Sequence, residues 1–125
     1  MKFLPQRALI ESFGNGGFRF AGMSHVGSLM VLPSGMRAWQ PLDIEALRPD
    51  DFEPLIDERD GIDFLLLGTG ARMARPPKPV LDHLATQGVR LDYMSTSSAI
   101  HTYNIVLGEG RRVGAALLAV AAAHG

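Results

Sequence analysis

The chain has 125 residues, a formal net charge of −1 at pH 7 and no cysteine. This length fits a single domain, residues 1–125, that buries roughly two-thirds of its unfolded surface. The near-neutral charge gives no general attraction to nucleic acid or to an anionic membrane. The lack of cysteine excludes disulfides, thiolate metal sites and cysteine nucleophiles, and it favours a reducing compartment. We therefore expect a soluble, cytoplasmic protein with no nucleic-acid partner.

Neither end of the chain suggests membrane targeting. The start, Met1 to Arg7, has no sustained apolar stretch and no small-residue cleavage pattern, so no signal peptide is expected. The late apolar run from Val113 to Ala123 is about half of the roughly 20 residues that a membrane-spanning helix requires. We expect no direct insertion into a membrane.

The beginning of the chain predicts antiparallel β-structure. Ala8 to Phe13 and Phe18 to Phe20 are strand candidates, and Gly14 to Gly17 supplies the positive φ of a tight hairpin turn between them. Ser28 to Leu32 and Met36 to Trp39 are two further strand candidates. We expect a meander of three or four antiparallel strands.

An acidic segment follows, between Pro41 and Asp60. Within it, Phe52, Leu55 and Ile56 fall at helical spacing and predict a short helix that buries these three side chains. The simpler interpretation is a helical connection whose acidic side chains face solvent. The alternative is an acidic patch that docks a partner.

The second half of the chain predicts two strand-loop-helix units. Ile62 to Leu67 is nearly all apolar, as a strand covered on both faces would be, and Val89 to Tyr93 predicts a second strand. Helices are predicted at Val80 to Gln87 and from Ser97 onward, and a last strand at Arg112 to Ala121. If the two strands are parallel neighbours, both loops open at the same carboxyl edge of the sheet, where α/β proteins place ligand sites.

These two loops supply the candidate site. The first could bring glycine amides and a guanidinium close to an anion, and the second carries hydroxyls, one of which should cap the following helix. A purely structural turn is the competing interpretation of the first loop. The candidate binding residues are Gly68, Thr69, Gly70 and Arg72 in the first loop, and Ser95, Thr96 and Ser97 in the second.

The loops carry no complete catalytic or nucleotide-binding motif. Met73 stands where a dinucleotide fingerprint requires its third glycine. A serine nucleophile would need a base in line with it, and His101 lies alongside on the same helix. The other histidines, His25, His83 and His124, show no metal-ligand spacing. We predict no catalytic residue, no metal and no cofactor, and we leave enzymatic activity as the less favoured possibility.

Three segments together resemble a known small family. They are the Leu67 to Gly70 loop, the Thr102 to Ile105 segment, and the Gly108 to Val113 segment that leads into the last apolar strand. The family comprises bacterial and archaeal domains of unknown function, the mitochondrial respiratory complex I assembly factor and a human adipogenesis-associated domain protein. The resemblance covers nearly the whole chain.

The resemblance implies an α/β fold in one three-layer domain with a mixed central sheet, an additional N-terminal antiparallel β layer and two main helices. The β meander then occupies about residues 7–40 and the α/β part about residues 61–122. The implied function is that of a non-catalytic assembly or interaction protein with protein partners, such as the subunits of a membrane respiratory complex. The alternative is a small-molecule or anion-binding protein, or an enzyme, that uses the cleft between the two loops. The mitochondrial relatives carry an amino-terminal targeting extension that this sequence does not show, so we expect no import into an organelle.

Overall fold

The computed structural model describes residues 3–121, so His124 lies outside the described residues. Within this range the chain forms strands, α-helices and short 3-10 turns. In chain order the strands and α-helices are β1 (Phe3–Leu4), β2 (Ile10–Gly14), β3 (Gly17–Phe20), β4 (Met23–Val26), β5 (Ser28–Leu32), β6 (Gly35–Trp39), α1 (Glu53–Asp57), β7 (Phe64–Gly68), α2 (Lys78–Thr86), β8 (Leu91–Met94), α3 (Thr96–Gly108) and β9 (Val113–Leu117).

The central sheet is mixed and has the strand order β1-β6-β5-β9-β7-β8. Strand β7 is parallel to both β8 and β9, whereas β5 is antiparallel to both β6 and β9. The register of β7 against β8 is parallel and α2 connects the two strands, so the predicted pair of parallel neighbours is confirmed. Strand β9 comes last along the described residues, yet it lies inside the sheet, between β5 and β7.

The predicted N-terminal meander divides into two sheets. Strands β2, β3 and β4 form a separate three-stranded antiparallel sheet, and β5 and β6 join the central sheet as a hairpin. The predicted turn between β2 and β3 is confirmed, with positive φ at Asn15 (52°) and Gly16 (80°). A single meander was the wrong expectation, because Gly27, at φ 97°, lets the chain leave one sheet and enter the other.

The three layers are arranged around the central sheet. On one face, α3 and the small sheet cover side chains such as Leu66 and Val31, and on the other face α1 and α2 cover side chains such as Leu65 and Met30. Each face of the central strands is therefore in a core, which explains the continuous apolar run of β7. The α/β fold with a mixed central sheet and an additional N-terminal β layer is confirmed.

The acidic segment buries the three side chains that were predicted to face inward. Phe52, Leu55 and Ile56 are all buried, and they pack on the face of the sheet that carries α2. The Trp39 ring meets Phe52 edge to face, with 5.4 Å between the ring centroids. The acidic residues around this short helix lie mainly at the surface.

Helix α3 fastens the small sheet to the rest of the domain. The Tyr103 hydroxyl donates to the Ala8 carbonyl at 2.8 Å, and burial raises the pKa of Tyr103, so this donor stays protonated. The Asn104 side chain forms two hydrogen bonds with the Ile10 backbone, accepting from its N–H and donating to its carbonyl, each at 2.9 Å. The Thr102 to Ile105 segment that carries the resemblance thus positions the small sheet. Ile105 itself is half-exposed and lies outside the buried face of α3, which carries Tyr103 and Val106.

The Gly108 to Val113 segment also has a structural role. Arg112 forms an ion pair with Asp63 at 2.7 Å, and this hydrogen-bonded guanidinium lowers the pKa of the Asp63 carboxyl. The Arg111 guanidinium lies 5.2 Å from the centroid of the Phe64 ring. Both contacts hold the entry to β9 beside the entry to β7.

The predicted last strand is shorter than expected, because β9 ends at Leu117. After β9 the chain is held by bonds to other partners. The Leu118 N–H donates to the Gly68 carbonyl at 3.0 Å, and the Ala119 N–H donates to Ser28 Oγ at 2.9 Å. The Val120 carbonyl then accepts from the Gly16 N–H at 2.8 Å. These bonds direct the segment across the carboxyl edge of β7.

Candidate functional site

The two predicted loops meet at the carboxyl edge of the central sheet. Gly68, at the end of β7, is the register partner of Met94 at the end of β8. The Thr69 N–H donates to the Met94 carbonyl at 2.8 Å, and the Thr96 N–H donates to the Gly70 carbonyl at 2.9 Å. The expectation that both loops leave the sheet at one edge is confirmed.

The loops are joined directly, and Thr96 is the residue that joins them. Its hydroxyl is fully buried, accepts from the Gly70 N–H at 3.0 Å and donates to the Leu118 carbonyl at 2.8 Å. A Cβ atom added at Gly68 would lie 2.8 Å from this oxygen, so glycine is what allows the two loops to approach each other. We call this contact between Gly68–Gly70 and Thr96 the loop seam.

The hydroxyls of Thr69 and Ser95 also have partners in the protein. Thr69 Oγ1 lies 2.6 Å from the Arg72 carbonyl, to which it donates, and it accepts from the Ala74 N–H at 3.1 Å. Ser95 caps α3, because its Oγ accepts from the Ser98 N–H at 3.2 Å. The prediction that one hydroxyl of this loop caps the helix is confirmed.

The structure therefore brings five of the seven predicted binding residues to one edge, namely Gly68, Thr69, Gly70, Ser95 and Thr96. The side chains of the other two, Arg72 and Ser97, are exposed. Because the Thr69 and Thr96 hydroxyls are bound to backbone groups, Arg72 and Ser97 would have to supply most of the contacts to an anion. Anion binding at these residues stays a prediction.

Replacing Thr96 with valine should open the loop seam. Valine keeps the shape but leaves the Gly70 N–H and the Leu118 carbonyl without their partner, which should cost about 2–4 kcal/mol of unfolding free energy. Thr96→Ser keeps the hydroxyl and should cost only about 1 kcal/mol for the lost methyl group. Urea denaturation of the two variants measures the difference. Equal losses would mean that the hydroxyl does not hold the seam.

Sulfate stabilisation tests the predicted anion site. If Arg72 binds an anion, sulfate should raise the melting temperature more than chloride does at equal ionic strength, and this excess should shrink in Arg72→Ala. The general stabilising effect of sulfate remains in both proteins and so cancels in the comparison. Arg75→Ala, which removes a second exposed arginine of the same segment, is the control. An unchanged excess in Arg72→Ala would remove Arg72 from the site.

An open cleft of about 590 Å³ lies beside the loop seam. Its walls come from the Gly-Thr-Gly loop, the β2–β3 turn, the end of β4, the segment after β6 and the segment after β9. Sequence analysis missed it because Val26 lies on a strand that was not predicted, and because the segment after β6 had no pattern that placed it here. The lining residues are Gly16, Val26, Leu42, Asp43, Ile44, Glu45, Thr69, Gly70, Ala71, Ala119, Val120 and Ala121.

The cleft is apolar and bears carboxylates. Its side chains are mostly small or aliphatic, its two charged side chains are Asp43 and Glu45, and no lysine or arginine lines it. Val26 and Leu42 are large apolar residues that are nevertheless 87% and 61% exposed. An anion would meet like charge in this cleft, whereas a cation would meet opposite charge.

Clusters of possible metal ligands and membrane-spanning helices are absent from the part of the chain that the structure describes. No group of three or more histidine, aspartate or glutamate residues within residues 3–121 is placed to hold a metal ion. His25 is buried, with its Nε2 bonded to the Ser28 carbonyl at 3.0 Å, and His101 is exposed. Among the described helices, none has the length and apolar character needed to cross a membrane.

Two kinds of relative can be matched to this chain over most of its length. An uncharacterized protein of Rhodobacter capsulatus is 40% identical over 109 residues, which are 87% of this chain and 82% of that protein. The human protein named NADH dehydrogenase [ubiquinone] 1 alpha subcomplex assembly factor 3 is 28% identical over 113 residues. These residues are 90% of this chain but only 61% of the human protein.

Solved structures share the fold. A crystal structure described as an outer membrane protein from Bartonella henselae is 40% identical and superimposes with a TM-score of 0.88, covering 95% of this chain and 99% of that one. A Bordetella pertussis protein described as an Mth938-like domain is 22% identical with a TM-score of 0.71, covering 89% and 85%, and supports the fold alone. A family model described as a protein of unknown function (DUF498/DUF598) matches residues 10–118. The chain therefore belongs to the DUF498/DUF598 family, which the resemblance in its sequence had indicated.

Proposed function

We propose that this protein is a non-catalytic assembly or interaction protein that binds a protein partner in the cytoplasm during the biogenesis of a membrane respiratory complex. The observation that carries the proposal is the exposure of Val26 and Leu42 on one cleft. Exposed apolar side chains are common singly, but their grouping at a concave surface is typical of a contact for another molecule. The kind of partner is inferred from the human assembly factor, whose name links it to NADH dehydrogenase.

The geometry of the loop seam favours this proposal over the alternative. A small-molecule binder or enzyme that used the space between Gly68–Gly70 and Ser95–Ser98 would first have to separate the two loops. That separation would break the two hydrogen bonds that connect Gly70 with Thr96. A protein-binding surface on the neighbouring cleft needs no such rearrangement.

The proposed function can be tested in the organism whose genome encodes the protein. We expect deletion of the gene to reduce the fully assembled NADH-quinone oxidoreductase on native gels and to leave its subunits in smaller subcomplexes. The wild-type gene returned on a plasmid should restore assembly. A photo-crosslinking amino acid placed at Leu42 should capture a subunit or assembly partner of that complex. Normal assembly in the deletion strain would contradict the proposed role.

A further inference from the structure

We infer that the open cleft binds an extended segment of a partner protein in which apolar side chains alternate with lysine or arginine. The inference rests on the proposed function, because it assigns the chemistry of the partner at the same surface. Three observations carry it: an apolar floor held by hydrogen bonds, two carboxylates without partners in the described structure, and an adjacent edge strand.

The floor of the cleft is held by backbone hydrogen bonds and consists mostly of small residues. The segment from Ala119 to Ala121 crosses it, held by the bonds from the Ala119 N–H to Ser28 Oγ and from the Gly16 N–H to the Val120 carbonyl. Alanine and glycine leave space above this backbone, and Val26 and Leu42 extend into solvent at its side. Apolar side chains of another molecule could enter this space without displacing a core residue.

The charge of the cleft comes from Asp43 and Glu45. Both residues are exposed, and within residues 3–121 no hydrogen bond or ion pair engages either carboxylate. Two acidic residues further along the chain are instead engaged by the protein. Asp51 accepts from the Arg48 N–H at 2.8 Å, and Glu58 is bound to Ser34 at 2.6 Å. The two cleft carboxylates therefore remain available to a cationic side chain, which selects a basic partner over an acidic one.

The shape of the site favours an extended occupant. Strand β4 supplies Val26 and is an edge strand of the small sheet. Edge strands offer backbone groups to an additional strand, which is a common way for proteins to bind extended peptides. The volume of about 590 Å³ is within the range of roughly 300–1,000 Å³ that is usual for ligand pockets. It fits the side chains of a few residues of an extended peptide.

Three fluorescein-labelled nine-residue peptides test the inference. In the first, lysine alternates with leucine or valine. The second has glutamate at the lysine positions, and the third has serine at the apolar positions. We expect fluorescence anisotropy to show saturable binding of the first peptide, with at least tenfold weaker binding of the other two. Salt should weaken the first interaction, because part of it is an attraction between exposed charges.

Matched variants locate the binding. Asp43→Asn combined with Glu45→Gln should weaken binding of the first peptide at least fivefold and reduce its salt dependence. Glu53→Gln combined with Asp57→Asn makes the same change of net charge at exposed residues outside the cleft and should leave binding unchanged. For the apolar part, Leu42→Ser should weaken binding. Its control is Leu9→Ser, at a leucine that is 53% exposed and does not line the cleft.

Several results would overturn the inference. They are a failure of the first peptide to bind, equal binding of the lysine and glutamate peptides, and equal weakening by the cleft and control pairs. A cellular comparison separates this inference from the proposed function. If deletion impairs assembly and the Asp43, Glu45 and Leu42 variants restore it fully, the proposed function holds and the cleft is not the docking site. If the peptide binds as expected while the deletion strain assembles the complex normally, the cleft assignment holds and the role in assembly does not.

Discussion

Replacing Leu66 with alanine should lower the free energy of unfolding by about 2–5 kcal/mol, through lost burial and the cavity that remains. Leu66 lies on β7 between two neighbouring strands, and its side chain is 1% exposed in the core beneath α3. A loss of this size is a large part of the total stability of a small domain, which is about 5–15 kcal/mol.

Urea denaturation followed by circular dichroism measures this loss. Leu9→Ala is the matched control, because it removes the same atoms from a leucine that is 53% exposed. Its effect should stay within about 0.5 kcal/mol, as is usual for surface substitutions. If the two variants had the same denaturation midpoint, the side chain of Leu66 would not be in the core.

Replacing Asn104 with alanine should loosen the small sheet from the rest of the domain. The change leaves the N–H and the carbonyl of Ile10 without the side chain that binds both. Because an unpaired buried polar group costs about 1–3 kcal/mol, we expect a loss of about 2–4 kcal/mol in unfolding free energy. The amides of β2, β3 and β4 should exchange with deuterium faster, while those of β7 and β9 should change less.

Two further variants control this experiment. His101→Ala changes an exposed residue on the same helix and should leave both stability and exchange nearly unchanged. Asn104→Asp retains an oxygen that can accept from the Ile10 N–H but removes the N–H that donates to its carbonyl. Because its second carboxylate oxygen would then face the Ile10 carbonyl, its loss of unfolding free energy should be at least as large as that of Asn104→Ala. Uniform faster exchange across all strands would mean that Asn104 supports the whole domain and not the small sheet in particular.

The α/β half was predictable because its signals are local. A continuous apolar run such as Ile62 to Leu67 has few arrangements other than a strand covered on both faces. The length of the connection to Val89 then allows a crossover helix, and the parallel pairing follows from it. For these elements, the residues that determine the structure lie within the element or next to it.

The small sheet was only partly predictable, because β4 reverses the usual pattern. His25 faces the interior and is bonded to the Ser28 carbonyl, whereas Val26 is 87% exposed. The usual hydrophobic pattern would place the valine in the interior and the histidine at the surface. The cleft was missed for the same reason, since its apolar side includes Val26.

The role of the loop hydroxyls could not be read from the sequence. Thr96 donates to Leu118, which is 22 residues away, so its partner becomes known only when the whole fold is known. A threonine at the edge of a sheet can bind a ligand or a backbone carbonyl, and its local sequence is the same in both cases. The prediction of the edge itself required only the two strands.

The interior position of β9 has a consequence for how the chain folds. Strands β5 and β7 do not pair with each other, because β9 lies between them and pairs with both. The sheet is therefore complete only after β9 has been added, when Leu29 pairs with Leu117. Contacts between residues this far apart in the sequence form slowly, because closing the long loop between them costs conformational entropy. During synthesis on the ribosome, the chain up to Arg112 would thus expose the unpaired edges of β5 and β7 until β9 emerges. We expect chains that stop before Val113 to aggregate and not to form a smaller stable domain, and an in-cell solubility assay of such truncated chains measures this.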